Sequence, residues 1–427
     1  MLTGITFGFF MRYLKSYIRF AASNPRLLAF GFVMLLASSF GQTYFIGTFG
    51  PSVRAEFGLS HSSWGGIYMG GTLLSALVLP WSGQLIDRVD LPRYSAFVIT
   101  ALAGACLFMA LTPSVAFLIV AIFALRQSGQ GLMSHTGATA MARHFPADRG
   151  KAVALASMGF GLGEAVLPVL MVLSIALIGW RVTYASAALT SLVLVLPFAL
   201  WLLRGKRLRH DYTTSYPGRQ QVSQSHSGSW TRRDVIRDLR FYLLLPAALA
   251  PSFIGTALFF HHLTLAEMKG WDITLFTGSY WIYALGSVLS ALASGPLIDR
   301  LSAVRVLPMY LLPLVLGLVL VWAFANVWWS WPYLFCLGIT SGIMYTGLTA
   351  LWAEIYGVRN LGAIKSLNTA ISVFASALGP FFMGVMIDRG VSIENICLIF
   401  ATYCLMASWL LMKTLRKFQI SSSRVEF

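Results

Sequence analysis

The sequence predicts an all-α membrane protein whose fold is a bundle of twelve transmembrane helices. Two observations lead to this fold class. Of the 427 residues, 57% are hydrophobic and only 11% are charged, which lies outside the range of ordinary soluble domains. Apolar runs of about 20 residues, each long enough to cross a hydrocarbon core of about 30 Å, alternate with short polar breaks. Twelve such runs are present, from residues 27–49 to residues 393–413.

Lysine and arginine residues fall mostly on one side of the predicted membrane. Four lie on the other side (Arg54, Arg181, Lys269 and Arg389), Arg126 lies within a span, and the remaining 26 of the 31 share the side of the two chain ends. An excess of basic residues marks the cytoplasmic side of membrane proteins, so the net charge of +16 is explained by topology without nucleic acid. We expect a multi-pass protein of the inner (plasma) membrane with both termini in the cytoplasm.

Polar segments divide the chain into two halves. The longest of them, residues 205–239, is rich in Arg, Ser, Gln and His and is predicted to be a cytoplasmic linker. It separates an N-terminal half, residues 27–204, from a C-terminal half, residues 240–413. Residues 1–26 are predicted to form a cytoplasmic arm, and residues 414–427 a cytoplasmic tail.

An internal repeat relates the two halves. The segment SGQLIDR, which begins at Ser82, returns as SGPLIDR from Ser294, 212 residues later. Pro168 maps onto Pro380 at the same displacement. The halves are therefore predicted to be parallel six-span repeats, and transporters built from such repeats bind substrate between them near the middle of the membrane.

Three motifs resemble those of the major facilitator superfamily. The repeated loop has the pattern GxLxDR from Gly83, the fourth span has RxxGQG from Arg126, and the fifth span has GxxxG from Gly159 followed by Pro168. The tripeptide GWR from Gly179 is similar to the branch that includes monocarboxylate and oxalate/formate carriers. The resemblance implies a twelve-helix secondary carrier in which two halves rock about a central site.

Arg126 and Glu164 are charged residues in the middle of spans four and five. With a rise of about 1.5 Å per residue, Arg126 lies about 16 Å from the start of its span at Val115, and Glu164 about 20 Å from Lys151. The two spans are antiparallel, so both charges fall near the midplane, where ionisable residues are costly and mark substrate or ion pathways. We interpret Arg126 as the cation that binds a carboxylate and Glu164 as the proton-coupling group. A permanent ion pair between them is the alternative.

Further polar side chains are candidates for the wall of a substrate cavity. They share a hydrogen-bonding group and a place within a span, and comprise Gln42, Tyr44, Gln130, Tyr283 and Tyr345. Gln42 and Tyr44 lie on the first span, a little beyond the midplane, and Gln130 follows Arg126 by about one helical turn. Interhelical hydrogen bonds and packing are the alternative role for all of these side chains.

Charged groups near the span ends are candidates for proton transfer and gating. His261, near the outer end of span seven, is a candidate proton relay, with an interfacial histidine as the alternative. Asp87 and Arg88, and their repeat copies Asp299 and Arg300, lie at cytoplasmic helix ends, where a carboxylate can face a helix N-terminus and hold an inner gate closed. Topology alone also accounts for the two arginines.

We expect the protein to transport a small organic anion, a monocarboxylate, in symport with a proton, because the one fixed midplane charge identified is cationic. At the repeat displacement, Arg126 and Glu164 correspond to the uncharged Gly338 and Ser376, so this chemistry is confined to the N-terminal half. The alternative is a proton-antiporting exporter of amphipathic or cationic compounds that uses Glu164.

The sequence shows no phosphate-binding loop and no nucleophile with a base partner, so neither an enzyme nor an ATP-driven pump is indicated. The expected partners are a small-molecule substrate, protons and the lipid bilayer, with no nucleic acid, metal or cofactor. The carrier is expected to be a monomer.

Overall fold

The computed structural model describes residues 16–146, 148–204 and 230–423, without the side chains of Tyr345 and of residues 417–423. Within these ranges the chain is helical and contains no strand. Ten helices are long and apolar enough to cross a membrane, and a bent pair would add an eleventh. Much of the predicted arm, linker and tail lies outside the described ranges.

Two irregular places account for the difference between ten helices and the twelve predicted spans. One helical stretch, Arg149–Leu203, is 55 residues long. It is divided at Gly179, whose φ of 76° and ψ of 161° are not helical and are readily adopted only by glycine. The first part of span 1, Pro25–Gly41, meets the short helix Ser16–Ser23 at 98°, and this bent pair is not one of the ten helices. Division of the long stretch at Gly179 and inclusion of the bent pair give the bundle the twelve predicted spans.

The spans have the following bounds, numbered in chain order. They are Pro25–Ala37 with Ser38–Gly41 and Thr43–Thr48 (span 1), His61–Ser82 (2), Leu91–Ala110 (3), Val115–Leu125 with Arg126–Met133 and Ser134–His144 (4), Arg149–Thr190 up to Gly179 (5), its remainder with Ser191–Val195 and Leu196–Leu203 (6), Leu239–Lys269 (7), Tyr280–Leu301 (8), Ala303–Val306 with Leu307–Met309 and Leu312–Ala323 (9), Ser330–Tyr356 (10), Leu361–Asp388 (11) and Ile393–Ser423 (12).

Consecutive spans run in opposite directions, so the loops alternate between two sides of the bundle. We call the side where the chain leaves span 6 and enters span 7 the linker side, and the other the opposite side. On the opposite side, span 2 of the N-terminal half packs tightly on span 11 of the C-terminal half. A Cβ atom added at Gly65 would lie 2.7 Å from the carbonyl oxygen of Pro380, and one at Gly384 would lie 2.5 Å from that of His61.

The two halves separate toward the linker side. Span 11 meets span 2 through the face that holds Pro380 and Gly384. Five helical turns, or about 18 residues, closer to the linker side, the same face holds Gly362 and Ser366. Both are exposed. The space between the halves is therefore closed on the opposite side and open on the linker side.

An aspartate at the end of span 11 joins the two halves on the closed side. The carboxylate of Asp388 accepts hydrogen bonds from the backbone N–H groups of His61 and Ser62, at 2.9 and 2.8 Å. These groups belong to the N-terminus of span 2, whose dipole favours a negative charge. Arg54 lies beside this contact, with Nη1 3.0 Å from Nε2 of His61. Asp388 thus caps a helix of the other half.

Each half also has a charged contact of its own on the opposite side. In the N-terminal half, Arg181 pairs with Glu56 at 2.6 Å and donates to the backbone oxygens of Ala110 and Thr112 at 2.7 and 2.9 Å. We call this group the N-terminal clamp. It gives a structural role to the tripeptide GWR, because Trp180 also donates to Glu56, at 2.6 Å.

The C-terminal clamp has the same geometry with the charges exchanged. Lys269 pairs with Glu394 at 3.1 Å and donates to the backbone oxygen of Val321 at 2.9 Å. Lys269 and Glu394 lie 213 residues after Glu56 and Arg181, one more than the repeat displacement. The basic residue of the C-terminal clamp ends span 7, whereas the acidic residue of the N-terminal clamp follows span 1.

We expect Lys269→Ala to destabilise the protein more than Arg181→Ala, by about 2 against about 1 kcal/mol. The Lys269 side chain is only 4% exposed, whereas that of Arg181 is 35% exposed, and exposed ion pairs contribute little. Thermal unfolding of the purified variants in detergent measures both effects. Equal losses of stability in the two variants would show that burial does not strengthen the Lys269 contact.

The N-terminal clamp also predicts a pH dependence. The hydrogen bond from Arg181 holds the pKa of the Glu56 carboxyl below its ordinary value of 4.5. A carboxyl whose pKa is lowered on folding contributes stability above its ordinary pKa and loses it as the pH falls through the lowered value. The stability difference between the wild type and Arg181→Ala should therefore shrink below about pH 4.5, and a constant difference would argue against the clamp.

Candidate substrate-binding site

The first span is broken near the middle of the membrane. Ser38–Gly41 forms a tight 3₁₀ turn, and Gln42 is extended, with φ of −86° and ψ of 157°. Serine side chains favour such a turn because they bond the local backbone, as Ser38 does to the carbonyl of Leu35 at 2.7 Å. A break at this depth frees backbone groups that the protein itself must satisfy.

Span 4 faces this break with a wider helical turn. Arg126–Met133 is a π-helix of eight residues between two α-helical segments. Single π-turns inside α-helices occur frequently at functional sites. Spans 1 and 4 meet through glycines, since a Cβ atom added at Gly129 would lie 2.7 Å from the Cα of Gly41. Glycine packing thus brings the start of the π-helix, Arg126, against the broken span.

Arg126 bonds the freed backbone with only one of its nitrogens. Nη1 donates to the carbonyl of Gly41 at 3.1 Å and to Oγ1 of Thr43 at 3.4 Å. The guanidinium carbon lies 5.2 Å from the centre of the Tyr68 ring. Nε is buried without a hydrogen-bond partner, and no acceptor for Nη2 occurs in the described part of the chain.

Glu164 lies on the other side of the broken span. It is 6% exposed and is close enough to Tyr44 and Tyr280 to interact electrostatically with both. Its neighbour Gly163 packs on span 1, where a Cβ atom would lie 3.2 Å from the hydroxyl of Tyr44. Across the ranges that the structure describes, no ion pair or hydrogen bond joins Arg126 and Glu164. The permanent pair considered from the sequence is therefore not formed.

Of the other predicted wall residues, two have hydrogen-bond partners within the N-terminal half and one has an unpartnered polar atom. Gln42 donates to Oγ of Ser134 on span 4 at 3.5 Å, and Tyr44 donates to Oγ of Ser39 at 2.7 Å, so both make contacts within the N-terminal half. Gln130 is half-buried, and its Oε1 atom is buried without a partner. The side chain of Tyr345 lies outside the described part of the structure.

Aromatic rings from both halves meet beside Glu164. We call this group the seam cluster; it consists of Tyr44, Phe160, Phe259, Tyr280 and Tyr283. Ring centres are 5.8 Å apart for Tyr44 and Phe160, and 6.5 Å apart for Tyr44 and Phe259 across the seam. Phe259 lies 5.7 Å from Tyr280 and 5.0 Å from Tyr283. The predicted residues Tyr44 and Tyr283 thus both contact Phe259, Tyr44 from the N-terminal half and Tyr283 from the C-terminal half.

The structure places His261 farther from the end of span 7 than the sequence predicts, because the span continues to Lys269. His261 is 2% exposed, and its Nε2 lies 2.9 Å from the carbonyl oxygen of Pro380. The neighbouring His262 lies between two tyrosine hydroxyls, at 2.7 Å from Tyr280 and 2.8 Å from Tyr333. Both histidines are buried inside the protein, and the relay role of His261 remains a prediction.

On the linker side, the predicted gating residues do not join the halves. Asp87 forms an ion pair with Arg143 of span 4, in its own half, and Arg88 is exposed. Asp299 and Arg300 are exposed at the end of span 8. Since the halves are apart on this side, a gating role for these four residues remains a prediction for another conformation.

A residue that the sequence analysis missed performs the helix-capping role expected of Asp299. Glu354 of span 10 accepts hydrogen bonds from the backbone N–H groups of Ala303 and Val304, at 2.7 and 3.2 Å. These groups form the N-terminus of span 9. A lone acid near the end of a span is the only sequence signal that Glu354 gives.

Two six-helix halves that touch on one side of the bundle and separate toward the other have the architecture of transporters that work by alternating access. The sequence model of the Major Facilitator Superfamily matches residues 28–380 and 280–424, and the chain belongs to this superfamily. Its members are transporters of small molecules.

Solved structures agree with this fold. The chain is similar to a bacterial homologue of the human lysosomal transporter Spinster, with a TM-score of 0.68 and 15% identity over 93% of this chain and 98% of that one. It is also similar to the nucleoside transporter NupG, with a TM-score of 0.71 and 12% identity over 92% and 98%. A search of curated proteins finds no significant match.

Proposed function

We propose that the protein carries a small organic anion, a monocarboxylate, in symport with a proton. The observation that carries this proposal is the free edge of Arg126. A guanidinium presents Nε and Nη2 as a fork that matches the two oxygens of a carboxylate. These are the two nitrogens without an acceptor, while Nη1 is held by Gly41 and Thr43.

Burial makes this edge a strong site for an anion. Arg126 is 2% exposed, and a buried cation without a counter-charge is unfavourable. Glu164 does not supply that charge, because the broken first span lies between the two side chains. A carboxylate that enters from the linker side would supply it and would complete the hydrogen bonds of the guanidinium.

Glu164 is suited to carry the proton. It is buried, and no cation pairs with it among the described residues, so its neutral acid form is the less costly one at this depth. It interacts with Tyr44 in one half and Tyr280 in the other, so rocking of the halves changes its surroundings. Uptake of a proton with the anion would keep the charge of the site constant during the transition.

The direction of the chain in the membrane follows from charge. The linker side carries most of the lysines and arginines, so we assign it to the cytoplasm of a cell's inner (plasma) membrane. The protein would then be open to the cytoplasm, and its halves would rock as a monomer to open the other side.

A proton-antiporting exporter of amphipathic cations is a second candidate. One observation favours it: the unpaired carboxyl of Glu164 lies beside aromatic rings, and aromatic faces and a carboxylate together bind organic cations. In that case Glu164 would bind the cation and Arg126 would serve only the broken backbone.

Transport assays in proteoliposomes separate the two candidates. We expect Arg126→Gln and Arg126→Lys to reduce uptake of radiolabelled organic acids about a hundredfold, because neither side chain offers the fork. Arg305→Gln, which removes an exposed arginine, is the matched control. Unchanged uptake of acetate, lactate and benzoate in Arg126→Gln would refute anion transport.

The proton-coupling role has its own assay. Glu164→Gln is expected to abolish uptake driven by a pH gradient and to retain exchange of internal for external substrate, which needs no net proton movement. An equal response to the pH gradient with and without Glu164 would refute the coupling role.

A further inference from the structure

His61 stands where the two halves touch on the closed side. It is the first residue of span 2, and a Cβ atom added at Gly384 of span 11 would lie 2.5 Å from its carbonyl oxygen. Its ring centre lies 5.7 Å from that of His261 on span 7. His61 belongs to the N-terminal half, whereas both of these neighbours belong to the C-terminal half. Separation of the halves on this side would therefore change the surroundings of the His61 ring.

One hydrogen bond fixes the protonation state of His61 in the closed arrangement. Nη1 of Arg54 lies 3.0 Å from Nε2 of His61. A guanidinium is always charged and can only donate, so Nε2 must be the acceptor. An imidazole that accepts at Nε2 carries its single proton on Nδ1. His61 is therefore neutral while this bond exists.

A second proton on the His61 ring finds no acceptor in the closed arrangement. On Nε2 it would point at the guanidinium of Arg54 and would replace a hydrogen bond by the contact of two cations. Nδ1 is buried without a hydrogen-bond partner, so the N–H group there would also stay unpaired in the charged ring. The dipole of span 2 adds to this effect, because a helix N-terminus disfavours a positive charge. The closed arrangement thus favours the neutral ring.

The other ionisable groups at this place, among the described residues, are Asp388, Glu267 and His261. Asp388 attracts a charge on His61, but its carboxylate oxygens bond the backbone at the start of span 2 and not the ring. Its side chain is also exposed, so water weakens the attraction. Glu267 interacts with Arg54 and helps to hold the guanidinium in place. His261 is buried, donates from Nε2 to a backbone carbonyl of span 11 and supplies no negative charge.

We infer that His61 is a second proton-binding site, which takes up a proton when spans 2 and 11 separate and so favours the state that is open on the opposite side. In that state water would replace Arg54 and would accept hydrogen bonds from both ring nitrogens. The only bond formed is N–H at Nε2, and the proton comes from water. A proton that binds the open state more tightly than the closed one shifts the population toward the open state.

This role goes beyond the proposed function, in which Glu164 carries the transported proton. His61 is half-buried at the end of its helix, so it exchanges protons with the solution on the opposite side. That side is the outside if the linker side is cytoplasmic. An acidic exterior would then open the carrier outward under the same condition in which a proton gradient can drive uptake. The identity of the substrate does not enter.

Spin-label distances across the closed side of the full-length protein in detergent test the inference. Labels on Ser114→Cys and Ala325→Cys lie on exposed loops of the two halves. The distances are measured at about pH 7.5 and about pH 5.5, on either side of the ordinary imidazole pKa of about 6.5. A histidine that titrates normally in the open state and stays neutral in the closed one should raise the ratio of open to closed protein about tenfold as the pH falls over this range.

Variants identify the group that titrates. His61→Gln keeps an acceptor for Arg54 and cannot be protonated, so its ratio of states should not change with pH. His61→Lys carries a permanent charge and should favour the open state at both pH values. Arg54→Gln offers an amide oxygen to the protonated ring and should reduce the pH effect. His144→Gln, at the linker-side end of span 4, is the matched control and should respond as the wild type does, because Nδ1 of His144 lies 2.8 Å from a carbonyl of its own helix.

The outcomes separate the His61 site from the proposed function. A wild-type ratio that does not change with pH would overturn the inference, and so would an equal pH effect in His61→Gln and the wild type. If His61→Gln does not fold, an unchanged pH effect in Arg54→Gln would show that Arg54 does not keep the ring neutral, with the same consequence. A pH effect that persists in His61→Gln and disappears in Glu164→Gln would leave Glu164 as the proton site, in agreement with the proposed function alone.

Discussion

Replacement of Asp388 by alanine is expected to shift the carrier from the state closed on the opposite side toward one that is open there. Asp388 accepts two backbone hydrogen bonds from His61 and Ser62, across the two halves. The substitution removes both bonds and a charge at a helix N-terminus, worth about 1 to 2 kcal/mol at this exposed position. The ratio of the two states should change about five- to thirtyfold.

Spin-label distances across the closed side measure this shift. Labels on Ser114→Cys in the N-terminal half and Ala325→Cys in the C-terminal half lie on exposed loops, and the native cysteines are all buried. Asp388→Ala should add a population with a longer distance. Asp272→Ala is the matched control, since Asp272 also caps a helix on this side, through Leu275 of its own half. Identical distance distributions in the two variants would show that the cap does not hold the halves together.

Gly41→Ala is expected to lower both stability and anion binding. The added methyl group would overlap the carbonyl of Leu125 and lie 2.8 Å from the Cα of Gly129, and both obstacles are backbone. Spans 1 and 4 would have to move apart, at a cost of about 3 kcal/mol, which would carry the Gly41 carbonyl away from Arg126.

Gly104→Ala is the comparison for this effect, because no atom lies within 4 Å of a Cβ added there. That variant should be as stable as the wild type or more stable by about 0.5 to 1 kcal/mol, since alanine favours a helix. Unfolding temperatures and benzoate binding measure both variants. If Gly41→Ala matched Gly104→Ala in both, the close approach of spans 1 and 4 would not position Arg126.

The place of Arg126 and Glu164 along their spans could be predicted from the sequence, whereas the direction of their side chains around the helix axis could not. Bilayer thickness and helical rise placed Arg126 and Glu164 near the midplane, and the repeat correctly indicated two six-helix halves. Whether the two charges meet depends on the break at Gln42 and on the π-helix after Arg126, which change the direction of side chains. Short polar clusters such as SSFG, without proline, give little warning of such a break.

Contacts between distant parts of the chain were also beyond the sequence. Asp388 and His61 are 327 residues apart, and their contact joins the two halves on the opposite side. A single acid at a helix end has many possible partners, so neither Asp388 nor Glu354 could be assigned one. By contrast, the assignment of Tyr44 and Tyr283 to different halves needed only the repeat.

The two clamps bear on how the chain is assembled during synthesis. In each clamp the paired residues are 125 positions apart and connect the chain at the end of the first span of a half, or just after it, to the start of the last span of that half. Neither clamp can form before the sixth span of its half has been inserted into the bilayer. Both partners belong to the same half, so the N-terminal half can complete its clamp while the ribosome is still translating the C-terminal one. Insertion would thus proceed in two self-contained stages, and Asp388, the last residue of span 11, would join the halves only near the end of the second.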